Sequence, residues 1–135
     1  MPMDAAKLRD FAECYTAAWC SQDPGSVAAF FSPEASLTVN DGTAAVGRAQ
    51  ITELARSFMA AFPDLKVVMD DLRLAADRTE YHWTLTGTNG GPGGNGHRVR
   101  ISGFEEWRMG KDDLIASSLG HFNAAEYQRQ LEHGI

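Results

Sequence analysis

The chain has 135 residues, of which 44% are hydrophobic, and this size and composition predict one compact domain spanning residues 1–135. Its 12 Lys and Arg against 18 Asp and Glu give a formal net charge of −6, and the basic residues are scattered singly. A nucleic acid partner is therefore not expected. No uncharged stretch approaches the roughly 20 residues that span a bilayer, so we expect no membrane association either.

The two cysteines, Cys14 and Cys20, lie six residues apart within one helical stretch. At that spacing they are too far apart along the helix to be joined without breaking it, so free thiols are expected. The first residues lack the apolar core of a signal peptide. Together these features predict a cytoplasmic protein.

The first half of the chain predicts three helices and one strand. Apolar residues recur every three or four positions from Asp4 to Ser21, which is typical of an amphipathic helix. A short second helix is predicted from Ser26 to Phe31 and a third from Arg48 to Phe62. Between them, Ala35 to Asn40 alternates apolar and polar residues as a half-buried strand does.

The second half predicts a series of long strands followed by a short helix. The strand-like stretches are Leu65 to Ala75, Thr79 to Asn89, His97 to Met109 and Leu114 to Asn123. Their short connections favour antiparallel neighbours. The final stretch, Ala124 to Leu131, predicts a helix that Asn123 can cap.

Helices first and strands afterwards define an α+β fold. We expect a curved antiparallel sheet that wraps around the N-terminal helices as a cone-shaped barrel, with an apolar pocket between the first helix, the Arg48 to Phe62 helix and the sheet. The glycine-rich stretch from Gly87 to Gly96 is predicted to be a flexible hairpin connection that can serve as a lid over the open end, and a phosphate loop is the alternative.

Four segments resemble a known family. They are Phe62-Pro-Asp-Leu-Lys-Val-Val68, His82-Trp-Thr-Leu-Thr-Gly-Thr-Asn89, Gly96-His-Arg-Val-Arg-Ile-Ser-Gly103 and Phe122-Asn-Ala-Ala-Glu-Tyr-Gln-Arg-Gln-Leu131. From roughly Phe11 to Leu131 the chain is similar to the SnoaL-like polyketide cyclases of the nuclear transport factor 2-like superfamily. The resemblance implies the cone fold, no cofactor, and a homodimer in which the outer faces of the sheets meet.

The resemblance also implies a reaction, an intramolecular aldol step in which a pocket acid or base moves a proton beside a carbonyl. Aligning Phe122-Asn123-Ala124 with the Phe-Asp-Ala of the family puts Gly120 where many members have Asp, and Ser117-Ser118 where they have acidic residues. Glycine cannot transfer a proton. An alignment shifted by one residue places His121 near that role instead.

The two histidines in strand-like stretches are candidate catalytic groups. His121 is the first candidate, because an imidazole transfers protons near neutral pH, and a solvent-facing or hydrogen-bonded strand histidine is the alternative. His82 is the weaker candidate, because it lies on the opposite strand face from Tyr81 and Trp83. The sequence leaves open which of those faces lines the pocket.

Glu105 and Glu106 are consecutive and must point to opposite faces of a strand. The carboxylate that enters an apolar pocket would have a raised pKa, as a general acid or base requires, whereas pairing with an arginine of a neighbouring strand is the alternative. Glu105 is favoured because it shares strand parity with Val99, Ile101 and Trp107.

The predicted ligand is a small apolar molecule. Its predicted contacts are Tyr15, Trp19, Phe58, Trp107 and Asn123. Aromatic side chains at such spacing also serve as ordinary core residues. No His or Cys cluster has metal-ligand spacing, so no metal is expected.

A homodimer is predicted from apolar strand residues that a monomer would expose. These are Tyr81, Trp83 and Leu85 on one strand, or Val99 and Ile101 on the next.

Two functions remain open. The first is a cofactor-independent cyclase or isomerase that applies acid-base chemistry to an apolar, carbonyl-bearing substrate. The alternative is a ligand-binding or dimerisation module of the same fold without catalysis. An epoxide hydrolase of this fold would need an Asp-Arg-Asp trio around a water. The sequences of these strands do not predict such a trio.

Overall fold

The computed structural model describes residues 4–135 and has four helices and a six-stranded sheet. Along the chain the elements are α1 (Ala5–Cys20), α2 (Pro24–Ala28), β1 (Phe31–Val39), β2 (Ala45–Val46), α3 (Gly47–Ala61), β3 (Lys66–Leu74), β4 (Thr79–Thr88), β5 (Arg98–Met109), β6 (Ile115–Phe122) and α4 (Ala124–His133). The α+β fold with a curled sheet around the helices is confirmed.

The first helix has the boundaries that its sequence predicts. Asp4 caps α1 and accepts a hydrogen bond from the backbone nitrogen of Lys7 at 2.8 Å. Its apolar stripe, including Tyr15 and Trp19, is buried. The second helix begins earlier than predicted, because Asp23 caps it and Pro24 occupies its first turn, where a missing N–H costs nothing.

The first strand also begins earlier than predicted, at Phe31 instead of Ala35. Its pairing with β6 is irregular between Phe31 and Ser36, a stretch that contains Pro33. Proline is tolerated in a strand at such an irregularity, because it has no N–H for a regular ladder.

The sheet has the strand order β2-β1-β6-β5-β4-β3. Strands β3 to β6 form the expected antiparallel meander. The pair formed by β1 and β6 is parallel, which was not predicted, and the short β2 adds an antiparallel edge.

The glycine-rich connection between β4 and β5 is held against the ends of two helices. Asn95 donates to the carbonyl of Leu131 in α4 at 2.7 Å, and the backbone nitrogen of Gly91 donates to the carbonyl of Ala61 in α3 at 3.3 Å. The cavity described below has no lining residue from this connection.

The two faces of the sheet differ in burial. Tyr81, Leu85, Val99 and Ile101 are all buried on the concave face, towards the helices. With Trp83, which lines the cavity on the same face, these are the residues from which a homodimer was predicted. The structure places all five inside because the helices cover that face. A dimer contact of the sheet would therefore involve its outer face.

The longest helix in residues 4–135 has 16 residues. Within this part of the chain, no helix combines the length and the apolar character that crossing a membrane requires.

Candidate functional site

A cavity lies between the helices and the concave face of the sheet, with a volume of about 690 Å³ that includes its open mouth. Its wall is formed by Trp19, Leu37, Val39, Leu54, Phe58, Val67, Tyr81, Trp83, Leu85, Ile101, Glu105, Gly120, Phe122 and Tyr127. Most of these side chains are aromatic or aliphatic. Glu105 is the only carboxylate among the lining residues in the described part of the chain.

Glu105 lies on β5 and is held by three side-chain donors. Its Oε1 accepts hydrogen bonds from Trp107 Nε1 at 3.0 Å and from Ser118 Oγ at 2.7 Å. The Tyr15 hydroxyl lies 3.0 Å from Oε1 and 3.1 Å from Oε2. All three donors therefore converge on Oε1, whereas Oε2 has only the shared contact with Tyr15.

Strand pairing explains how these residues meet. Trp107 follows Glu105 by two positions on the same face of β5, and β5 pairs with β6 so that Ser118 lies opposite Trp107. Tyr15 reaches the carboxylate from the buried stripe of α1. Two strands and one helix thus fix one carboxyl group.

Burial raises the pKa of Glu105 above the ordinary glutamate range, and the hydrogen bonds from Trp107, Ser118 and Tyr15 lower it again in part. The pKa of Tyr15 is raised well above its usual value, first by burial and then by the nearby negative charge of Glu105. Tyr15 therefore remains a hydrogen-bond donor at neutral pH, while Glu105 keeps its proton to a higher pH than an exposed glutamate does.

Glu106, the neighbour of Glu105 in sequence, points to the outer face. Its carboxylate accepts from His121 Nε2 at 2.8 Å and lies 3.2 Å from Arg78 Nε. His82 pairs with Glu80 at 3.0 Å on the same face. Because neither His121 nor His82 lines the cavity, the structure does not bring the two histidines together with Glu105.

The five predicted ligand contacts divide into three groups. Trp19 and Phe58 line the cavity. Tyr15 and Trp107 are fully buried behind it and hold Glu105. Asn123 caps α4, accepting from the backbone nitrogen of Glu126 at 2.9 Å, and does not line the cavity.

Several residues of the site were not predicted from the sequence. Ser118 was noted only as a neutral substitute for an acid, although it shares strand parity with Gly120. Trp83, Phe122 and Tyr127 line the cavity but were not singled out as ligand contacts. Alternation along β4 could have indicated Trp83 once the inward face was known.

Within residues 4–135, no three His, Cys, Asp or Glu side chains are grouped so that they could hold a metal ion.

Comparison with protein families identifies the class. The sequence model of the SnoaL-like domain matches residues 11–118, which is most of the chain. The chain therefore belongs to the SnoaL-like domain family, as the sequence resemblance implied.

Solved structures share the fold at low sequence identity. AclR, a putative hydroxylase from Streptomyces galilaeus, is 24% identical with a TM-score of 0.80, over 96% of this chain and 98% of that one. A putative SnoaL-like polyketide cyclase from Jannaschia sp. CCS1 is 15% identical with a TM-score of 0.76, over 98% and 99%. SalBIII, described as an epoxide hydrolase/cyclase-like enzyme in pyran ring formation of salinomycin, is 16% identical with a TM-score of 0.78, over 91% and 95%. At these identities the likeness shows the nuclear transport factor 2-like fold alone.

No curated protein matches the sequence.

Proposed function

We propose that this protein is a cofactor-independent enzyme that moves a proton on an apolar, carbonyl-bearing substrate, with Glu105 as the general acid and base. The observation that carries the proposal is the placement of Glu105. It is the single carboxylate among the described lining residues, and burial raises its pKa. A buried carboxylate with a raised pKa is a stronger base than an exposed one, and on an apolar wall it suits proton removal beside a carbonyl.

The hydrogen bonds assign different roles to the two carboxylate oxygens. The donors Trp107 and Ser118 both bind Oε1 and restrain the rotation of the carboxyl group. Oε2 has only the hydrogen bond that the Tyr15 hydroxyl shares between the two oxygens, so it can still accept a further hydrogen bond or a proton. Oε2 is thus the atom that would take the proton from the substrate and return it.

The relatives support the same class of chemistry without identifying the substrate. The Jannaschia protein is described as a putative polyketide cyclase and SalBIII as a cyclase-like enzyme. Both ring closure by an aldol step and isomerisation need one proton-transfer group and a cavity that positions the reacting carbons. The cavity and Glu105 supply these two requirements.

The test is hydrogen exchange at the carbon beside a ketone. The α-protons of 1-tetralone would be followed by NMR in D₂O, with the wild-type protein and with Glu105→Gln. Loss of a general base typically slows a reaction about 10²–10⁴-fold, and we expect a loss of that order. Glu106→Gln is the matched control, because it removes the same chemical group from the outer face.

Equal exchange rates in the wild-type and Glu105→Gln proteins would contradict the proposal. Binding of 1-tetralone without any catalysed exchange would instead favour the ligand-binding module, in which the three donors merely satisfy a buried carboxylate.

We further propose that the protein forms a homodimer through the outer face of the sheet. There Phe104 stacks between His82 and His121, with ring centroids 5.2 Å and 4.8 Å away. Leu119 and Val68, both 47% exposed, lie on the same face. Among residues 4–135 no helix covers these apolar side chains, which lie beside the Glu80–His82 and Glu106–His121 pairs, so a second copy would bury them.

A cytoplasmic location is also proposed. Cys14 and Cys20 are both free and exposed. Unpaired, exposed thiols are expected where the environment is reducing.

A further inference from the structure

One polar group of the cavity wall is left without a partner. The indole of Trp83 lines the cavity from β4, and its Nε1 atom is buried with no hydrogen-bond acceptor among residues 4–135. Arg78 Nε is also buried and without a hydrogen bond of good geometry, but it lies 3.2 Å from Glu106 Oε1 on the outer face. A buried donor without an acceptor is unfavourable and uncommon in native proteins, so the Trp83 N–H needs an explanation.

Strand register places Trp83 near Glu105. Trp83 pairs with Gly103, and Glu105 is the next residue of β5 on the same face. Diagonal neighbours of this kind are separated by about 7–8 Å, which long and aromatic side chains can bridge. Trp83 on β4 and the carboxylate of Glu105 on β5 therefore lie at adjacent positions of the same cavity wall.

Gly103 leaves space for the indole beside β5. A Cβ at that position would lie 2.8 Å from Trp83 Cζ2 and closer still to the backbone oxygen of His121, nearer than real side chains allow. Both neighbours therefore favour glycine at this position. On its other side Trp83 contacts Phe122, with ring centroids 5.9 Å apart.

We propose that Trp83 Nε1, which protein atoms cover in the ligand-free structure, turns towards the cavity when a substrate enters and donates a hydrogen bond to its carbonyl oxygen. This proposal rests on the proposed function, in which Glu105 acts on a carbonyl compound held in the cavity. It narrows the substrate class to flat, apolar ketones whose carbonyl oxygen meets Trp83 while an acidic C–H beside the carbonyl meets Glu105 Oε2.

The proton and electron pairs balance in this arrangement. Glu105 Oε2 takes the proton of the α-carbon, the C–H electron pair forms a carbon–carbon double bond, and the carbonyl π pair moves to oxygen. The resulting enolate oxygen carries the negative charge that the Trp83 N–H stabilises. The protonated Glu105 then returns its proton, either to another carbon or to the alkoxide formed when the enolate attacks a second carbonyl.

The test compares two probes of nearly the same shape, 9-fluorenone with a carbonyl and fluorene without one. Their dissociation constants would be measured for the wild-type protein and for Trp83→Phe, which keeps a ring but removes the N–H. We expect the wild-type protein to prefer fluorenone by about 2- to 10-fold and Trp83→Phe to lose that preference, as one hydrogen bond predicts. Trp19→Phe, the same change on the α1 wall, is the control that should preserve the preference.

The outcomes separate this inference from the proposed function. The role of Trp83 would be overturned if Trp83→Phe kept the preference for fluorenone, or if the wild-type protein bound both probes equally. Either result would hold even if Glu105→Gln abolished α-proton exchange. Loss of the preference in Trp83→Phe would support the role of Trp83. If the Glu105→Gln protein still catalysed α-proton exchange at the wild-type rate, only the catalytic proposal would fail. Binding of neither probe by the wild-type protein would overturn the role of Trp83, whereas the proposed function would still be decided by α-proton exchange in 1-tetralone.

Discussion

Glu105 and Gly120 lie opposite each other in the pairing of β5 with β6, and a Cβ on Gly120 would lie 3.9 Å from Glu105 Cγ. Its nearest neighbour would be the carbonyl oxygen of Thr38 at 3.5 Å. Both are ordinary contact distances, so the backbone does not require glycine here. The glycine leaves space beside the buried carboxyl group. Glu105 thus lies directly across the strand pair from position 120, where the family resemblance implies an acid.

We therefore predict that Gly120→Ala folds normally but binds ligand more weakly, because the new methyl group occupies the cavity beside Glu105. Its free energy of unfolding should be unchanged or higher by up to about 1 kcal/mol, since glycine is unfavourable within a strand. Fluorenone titration and urea unfolding measure the two effects. Gly90→Ala, a change outside the cavity whose Cβ would make one ordinary contact with the Thr88 oxygen at 3.8 Å, should leave the affinity unchanged. Equal affinities of the two variants would contradict the prediction.

Ser118→Ala should destabilise the protein and make Glu105 harder to ionise. The Ser118 hydroxyl is fully buried and donates to Glu105 Oε1 at 2.7 Å, and this bond lowers the pKa of Glu105. Removing it should cost about 1–3 kcal/mol in the free energy of unfolding, measured with urea. Ser117→Ala, one residue away on the outer face, should stay within about 0.5 kcal/mol. Equal losses of unfolding free energy in the two variants would show that the Ser118–Glu105 hydrogen bond does not stabilise the protein.

Glu105→Gln should become more stable relative to the wild-type protein as the pH rises. A carboxyl group whose pKa is raised in the folded state favours folding below its unfolded pKa, and this contribution is lost as the pH rises through the folded pKa. Glutamine does not ionise, so it suffers no such loss. Urea unfolding of both proteins from pH 4 upward should give diverging stabilities, and parallel curves would show that the pKa of Glu105 is not raised.

The proposed dimer predicts that light scattering will report twice the 14.7 kDa chain mass. Phe104→Asp should convert the dimer to a folded monomer, because it places a charge in the centre of the stacked outer face. Val46→Asp is the control, an exposed apolar position on the β2 edge of the sheet. A wild-type monomer at micromolar concentration, or a dimer that survives Phe104→Asp, would rule out this interface.

The sequence allowed much of the fold to be predicted, because periodicity is a local property. The spacing of apolar residues predicted α1 and α3, and alternation predicted β3 to β6. The parallel pairing of β1 with β6 depends on contacts between distant segments, which alternation does not record. The early start of β1 was missed because Pro33 is unusual in a strand.

The site was predictable only in part, for a related reason. Alternation showed that Glu105 and Glu106 face opposite ways, and shared parity with Trp107 favoured Glu105 as the inward residue. It could not establish which face the helices cover, and this is why His121 and His82 remained candidates although they lie outside. The unpaired N–H of Trp83 depends on all its neighbours at once, so no sequence pattern reveals it.

The most direct test of Glu105 as the proton-transfer group is the pH dependence of α-proton exchange in 1-tetralone. Because the ionised carboxylate is the base, the wild-type rate should rise with pH and level off above an inflection that lies higher than the usual glutamate pKa of about 4.3. Ser118→Ala should move that inflection upward, and Glu105→Gln should abolish it together with most of the rate. An inflection that persists unchanged in Glu105→Gln would contradict the account.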